Sequence, residues 1–130
     1  MNKSPAVLRM LLVDDQTELL TVVGDYFRRL GYEVHATRTC RAALRALETH
    51  RPSIVITDLC LGPDDDRGGF ELIRSAREQR PAIPVVLITG HVSPEIATEA
   101  RRLGAAAVLG KPARLVDLLR VVLSVQSRGD

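Results

Sequence analysis

The sequence predicts an α/β domain, a doubly wound three-layer sandwich whose central parallel sheet is covered by helices on both faces. Short β-prone runs, most of them almost wholly apolar, alternate five times with segments of helical periodicity, the pattern of strands buried on both faces and joined by crossover helices. Right-handed crossovers leave few ways to wind such a chain. With 130 residues there is material for one core, and 45% hydrophobic against 26% charged side chains excludes a disordered, collagen-like or disulfide-dense chain.

The first strand reads from Val7 to Val13, broken only by Arg9, and stops at Asp14-Asp15. From Thr17 the period changes, and Leu19, Leu20, Val23, Phe27 and Leu30 share one helical face until Gly31 stops it. Glu33 to Thr37 is β-prone, and Ala42 to Leu47 form a second helix closed off by Pro52. The run from Ser53 to Leu61 is a third strand ending at Asp58, followed by a loop from Gly62 to Gly69 with Pro63, Asp64, Asp65 and Asp66. Phe70, Leu72, Ile73 and Ala76 mark the third helix, and PVVLIT the fourth strand, ending at Thr89-Gly90. Ser93-Pro94-Glu95 is a helix start with Ser93 as N-cap, and this fourth helix runs to Gly104. Ala105 to Leu109 is a fifth strand ended by Gly110-Lys111-Pro112, and Leu115, Leu118, Leu119 and Val122 begin the last helix. One domain is expected over 1–130, with its core over about 6–124 and a polar tail over 125–130.

Sixteen acidic and eighteen basic side chains, evenly spread, leave a formal charge of +2 and no basic stripe for nucleic acid. Tyr26, Tyr32, Phe27 and Phe70 are too few for a base-stacking platform. Cys40 and Cys60 form no metal spacing with each other or with His35, His50 and His91, which suits a reducing cytoplasm. The N-terminus has no signal-peptide core, and no apolar run approaches the roughly 18–20 residues of a membrane helix.

In open parallel sheets the site lies beyond the carboxyl ends of the strands. The first strand ends with Asp14-Asp15, the third with Asp58, the fourth with Thr89 and the fifth with Lys111. Carboxylates brought together there repel one another unless a cation sits among them, and oxygen ligands suit Mg²⁺ or Mn²⁺. The loop Gln16-Thr17-Glu18 lacks the glycines that cradle a nucleotide's phosphates. A single phosphoryl group, with a metal on one side and Lys111 on the other, satisfies the charges. Sixteen arginines stand against two lysines, so the compact ammonium at 111 is distinctive.

The stretches VLRMLLVDD, SIVITDLCL, PVVLITG and GAAAVLGKP, in this order and spacing, resemble the receiver domain of two-component response regulators over nearly the whole chain. The resemblance implies a flavodoxin-like (βα)5 fold with strand order 2-1-3-4-5. It implies a phosphoacceptor at Asp58, phosphorylated by a sensor histidine kinase or histidine phosphotransfer protein. Asp15 would ligate the metal directly and Asp14 mainly through water, with Asp58 and the backbone carbonyl of Cys60 completing the protein's share. Thr89 would hydrogen-bond the phosphoryl group and Lys111 pair with it. The signal would leave through contacts with a downstream protein target, and a weak homodimer is left open. The domain would catalyse only its own phosphotransfer and dephosphorylation, so it is expected not to be an enzyme.

Two departures stand out. The Gly62 to Gly69 loop is longer than the usual pattern by about three residues, and Val108 stands where receivers commonly have an aromatic ring that follows the threonine on activation. The acidic run at 64–66 reads as a solvated loop, since no glycine-spaced calcium pattern surrounds it. His91 reads as an exposed loop histidine, with orientation of the hydrolytic water as its functional alternative. A turn after the last strand predicts a cis Lys111–Pro112 bond. The rival to phosphorylation is a receiver-fold adaptor that is never phosphorylated. An aspartate-nucleophile phosphatase lacks its second acid in Asp58-Leu59-Cys60, and the acidic first loop opposes a flavin carrier.

Overall fold

The computed structural model describes residues 8–65 and 67–128. Five strands, β1 (Arg9–Val13), β2 (Glu33–Thr37), β3 (Ile54–Asp58), β4 (Val85–Thr89) and β5 (Ala107–Gly110), form one parallel sheet in the order β2-β1-β3-β4-β5. They alternate with α1 (Thr17–Arg29), α2 (Cys40–Thr49), α3 (Gly68–Gln79), α4 (Pro94–Leu103) and α5 (Leu115–Arg128). Strand alternation divides the core in two. Leu11, Val13, Val55 and Leu87 face α2, α3 and α4, while Met10, Leu12, Ile56 and Ile88 face α1 and α5.

The element ends follow local chemistry. Thr39 and Ser93 each accept a hydrogen bond from the backbone N–H three residues on, at 3.1 and 3.2 Å, so each holds a helix start worth about 1 kcal/mol. Gly31 and Gly104 take the left-handed conformation that ends α1 and α4, at φ values of 100° and 108°. The Lys111–Pro112 bond is cis.

Three boundaries differ from those read in the sequence. Gly68 and Gly69 open α3 instead of closing the preceding loop. β5 begins at Ala107, because the Ala105 N–H is used to close α4 on the Ala100 carbonyl at 2.9 Å. α5 continues through the supposed tail: Val125 is buried, and the Gln126 carboxamide accepts a hydrogen bond from the Tyr32 hydroxyl at 2.8 Å. Val7, the beginning of the first predicted strand, and the tail residues 129–130 lie outside the described residues, as does Asp66.

Candidate functional site: an acidic pocket at the carboxyl edge of the sheet

β1 and β3 are adjacent, with Val13 opposite Thr57, so the residues that follow them emerge side by side. Asp14 and Asp58 are both buried, at 2% and 8% exposure, although carboxylates are almost never buried without partners. Their partner is Lys111. Its Nζ donates to Asp14 Oδ2 and to Asp58 Oδ2, each at 2.7 Å, and makes a longer contact of 3.4 Å to Gln16 Oε1. The lysine reaches inward because its own backbone N–H is anchored on the Thr89 carbonyl at 2.8 Å, at the end of β4. Asp14 Oδ1 accepts the Gln16 N–H at 2.9 Å, which fixes the carboxylate from the other side.

The carboxylates of Asp14, Asp15 and Asp58 each bring an oxygen to within 4.8 Å of the others. Burial raises the Asp14 pKa above the ordinary carboxylate value, with the hydrogen bonds from Lys111 and Gln16 opposing that rise. Burial pulls the Lys111 ammonium down, yet its hydrogen bonds to Asp14 and Asp58 and their charges outweigh that and leave its pKa raised. The ammonium therefore stays charged. Three convergent carboxylate oxygens are a hard donor set that fits a divalent cation of the Mg²⁺ or Mn²⁺ type.

The pocket encloses about 260 Å³, and Cys60, Thr89 and His91 line it together with Asp15, Asp58 and Lys111. Thr89 is 1% exposed, and its Oγ1 accepts the His91 N–H at 3.2 Å. A hydroxyl that accepts there keeps its own proton for another acceptor. His91 is exposed as well as lining the mouth.

The acidic loop is built differently. Leu61 donates to the Asp65 carbonyl at 2.8 Å and Asp65 to the Gly62 carbonyl at 3.1 Å, so the chain closes on itself as a turn with Gly62 at φ 131°. Among the described residues Asp14, Asp15 and Asp58 form the one cluster of three potential ligands, and neither Asp64 nor Asp65 belongs to it. The Asp65 charge lies near Cys40 and, after burial, helps push that thiol up to about 11.

Gly69 was not among the residues singled out in the sequence. A Cβ there would overlap the carbonyl oxygen of Asp58 and lie 2.8 Å from Leu59 Cα, so only glycine lets α3 start against the end of β3. The available signal was a glycine pair directly before an apolar helix, and it reads equally as loop composition.

A buried acid pair strapped by lysine at the switch side of a 2-1-3-4-5 sheet defines a class, the receiver-type α/β domains. The family model for the response regulator receiver domain matches residues 10–123. The chain is 30% identical over 115 residues to the photosynthetic apparatus regulatory protein RegA of Rhodobacter capsulatus, covering 88% of this chain and 61% of RegA. It thus spans less than two thirds of that curated relative's length. Among solved structures, a CheY-like receiver domain protein from Methanospirillum hungatei superposes with a TM-score of 0.89 at 28% identity, covering 95% of this chain and 97% of that one. A response regulator from Burkholderia pseudomallei, solved with a phosphorylated aspartic acid, a calcium ion and citrate, superposes with a TM-score of 0.83 at 26% identity, over 93% and 69% of the two chains. The chain belongs to the response regulator receiver domain family, the signalling modules of two-component systems. Receivers of this family bind a divalent metal at an acidic pocket and interact with histidine kinases or phosphotransfer proteins. No helix among the described residues is long and apolar enough to cross a membrane.

Proposed function

We propose that Asp58 is the phosphoacceptor of this receiver, loaded by a histidine kinase or a histidine phosphotransfer protein. The observation that carries the reading is the 2.7 Å bond from Lys111 to a buried Asp58 that shares its pocket with two further carboxylates. An oxygen of Asp58 attacks phosphorus, the P–N bond to the donor imidazole breaks, and an acyl phosphate forms while the histidine leaves. Catalysis of such a transfer is mostly positioning and neutralisation of charge. Lys111 already touches the accepting carboxylate and can exchange one carboxylate contact for a phosphoryl oxygen. Thr89 offers its free hydroxyl proton to another. Asp14, Asp15, Asp58 and the carbonyl of Cys60 would hold Mg²⁺, which when bound offsets the charge gathered on the phosphoryl oxygens.

In this reading residues 1–130 hold one receiver domain that acts on no other substrate, works in the cytoplasm and passes its state to a downstream protein. Intact-mass spectrometry after incubation with acetyl phosphate or phosphoramidate tests it. The wild type should gain one phosphoryl group only when Mg²⁺ is present, and Asp58→Asn should gain none. An unmodified wild type, or an Asp58→Asn variant labelled as fully, overturns the assignment.

A further inference from the structure

The residues that line the acidic pocket come from the ends of β1, β3, β4 and β5 or from the loops that follow them, and none comes from β2. The end of β2 is nevertheless tied to the same place. The Asp14 N–H donates to the Thr37 carbonyl at 3.1 Å, and the next residue along, Arg38, donates from Nη2 to the Asp15 carbonyl at 3.2 Å. Two successive residues after β1 are thereby fastened to two successive residues at the close of the edge strand.

The three carboxylates of the pocket are not held alike. Asp14 is fixed by Lys111 and by the Gln16 N–H, and Asp58 is fixed by Lys111. The Asp15 carboxylate, half-buried in the same cluster, takes no hydrogen bond or ion pair among the described residues. Its position therefore depends on its main chain, and the bond that reaches that main chain from elsewhere in the sequence is the one from Arg38.

We infer that Arg38 is a positioning residue for the divalent metal, fixing the main chain at Asp15 so that a carboxylate with no partner of its own is presented to the ion. Groups that orient a metal ligand without touching the metal raise affinity in this way, because less ordering is left for the ion to impose. The guanidinium also carries a positive charge, which repels the same ion. These two effects have opposite signs, so metal affinity tells them apart. Arg38 is exposed, and solvent and salt weaken its repulsion, whereas its bond to the Asp15 carbonyl acts at contact. Positioning is the larger effect. The inference rests on the metal reading of the pocket and needs no phosphoryl group.

Isothermal titration of magnesium chloride into the full, unphosphorylated chain tests the assignment. Arg38→Met removes donor and charge together and should weaken Mg²⁺ binding roughly threefold to tenfold, at or below the low end for residues that orient a metal ligand. Arg41→Met removes the same charge from a nearby exposed arginine that makes no ion pair among the described residues, and it should bind Mg²⁺ as tightly as the wild type or slightly more so. The Mg²⁺ concentration for half-maximal phosphorylation by acetyl phosphate should rise in Arg38→Met by the factor that titration gives, with the maximal rate and the metal-free unfolding temperature unchanged. Binding in Arg38→Met as tight as in the wild type or tighter, or an equal loss in Arg41→Met, overturns the proposal. A wild type that takes up no Mg²⁺ removes the metal reading of the pocket and the proposal with it, whereas failure of Asp58 to accept a phosphoryl group leaves the titration unaffected.

Discussion

Two acidic stretches lie within eight residues of one another in this chain, and only one of them is part of a site. Asp58 ends a buried strand, points into a pocket with Asp14 and Asp15, and is held by Lys111 at 2.7 Å. Asp64 and Asp65 belong to a turn closed by its own backbone, outside that cluster. Local acid density was greater in the turn. What makes carboxylates chemically useful here is delivery from different strands to one desolvated place, where each alters the others' energetics. Asp64 is exposed and Asp65 half-buried beside Cys40 and Gly68, so the turn's carboxylates lie apart from the pocket and share no site with its acids.

The sharpest way to break that contrast is to remove the strap. Lys111→Met keeps most of the side chain's volume but leaves Asp14 and Asp58 buried and unpaired. Removing one partner of a buried ion pair costs about 3–5 kcal/mol. The lysine side chain is 17% exposed, so we expect the low end of that range. Saturating Mg²⁺ should restore much of the loss, because a second cation then neutralises the same carboxylates. By contrast, removing Arg74, which pairs with Glu71 and Glu78 on the surface of α3, should leave stability close to that of the wild type and show no Mg²⁺ dependence. Urea denaturation with and without Mg²⁺ compares them, and a Lys111→Met variant as stable as the wild type in metal-free buffer would show that the strap carries no stability.

A smaller loss is expected at the seam between strand and loop. Gly69→Ala presses a methyl group against the backbone of Asp58 and Leu59, which cannot rotate away, and overpacking of this kind costs about 1–3 kcal/mol. Gly68→Ala meets the Asp65 carboxylate instead, the end of a side chain that can move, so it should cost less. The displaced Asp58 carbonyl should also slow phosphorylation in Gly69→Ala alone. Equal stabilities and equal phosphorylation rates in the two alanine variants would refute this reading of the close approach.

These positions mark where sequence legibility ends. Strands buried on both faces announce themselves as apolar runs, and the polar residue ending each run names the edge, so the meeting of Asp14, Asp15, Asp58 and Lys111 could be anticipated from order alone. Close approaches could not. Gly69 needs glycine because of a strand eleven residues earlier, Ala105 leaves the fifth strand because α4 claims its N–H, and the His35–His50 stack depends on where a helix happens to end. Such features are set by tertiary geometry, which periodicity does not encode. Val125 and Gln126 failed for another reason, since a polar composition conceals a helix whose buried face continues.

Neutralising the turn should do little. Asp64→Asn and Asp65→Asn are expected to change stability and Mg²⁺ binding by no more than about 0.5 kcal/mol each, the ordinary range for surface substitutions. Isothermal titration with Mg²⁺ checks this. A loss of affinity in either variant as large as that of Asp15→Asn would bring the turn into the metal site after all.

The smallest expected effect is the conformational one, and it asks whether a pocket built on rigid strand ends moves anything beyond itself. The hydroxyl of Thr89 accepts the His91 N–H at 3.2 Å, and the next residue, Val92, leans over Gly110, with Cγ2 3.2 Å from where a Cβ would stand. A phosphoryl group that draws Thr89 inward must weaken the bond to His91, and the segment carrying Val92 is then free to shift against the end of β5. Val108, which pairs with Leu87 across β4 and β5 and packs against the core beneath α4, has no ring to follow the threonine, and its β-branched side chain is nearly fixed. The change should therefore stay within residues 89–95, with Val92 its outermost reporter. A phosphoryl group shifts the equilibrium only through contacts that differ between the two states, and the Thr89 hydroxyl is the contact that reaches this loop. Amide chemical shifts recorded with and without beryllofluoride in Mg²⁺ should move most at Gly90 to Ser93 and little across Leu109 and α5. Thr89→Ala should abolish the loop response while Asp58 still binds the mimic. Large shifts along β5 and α5 with a quiet loop would mean that the signal leaves by another route.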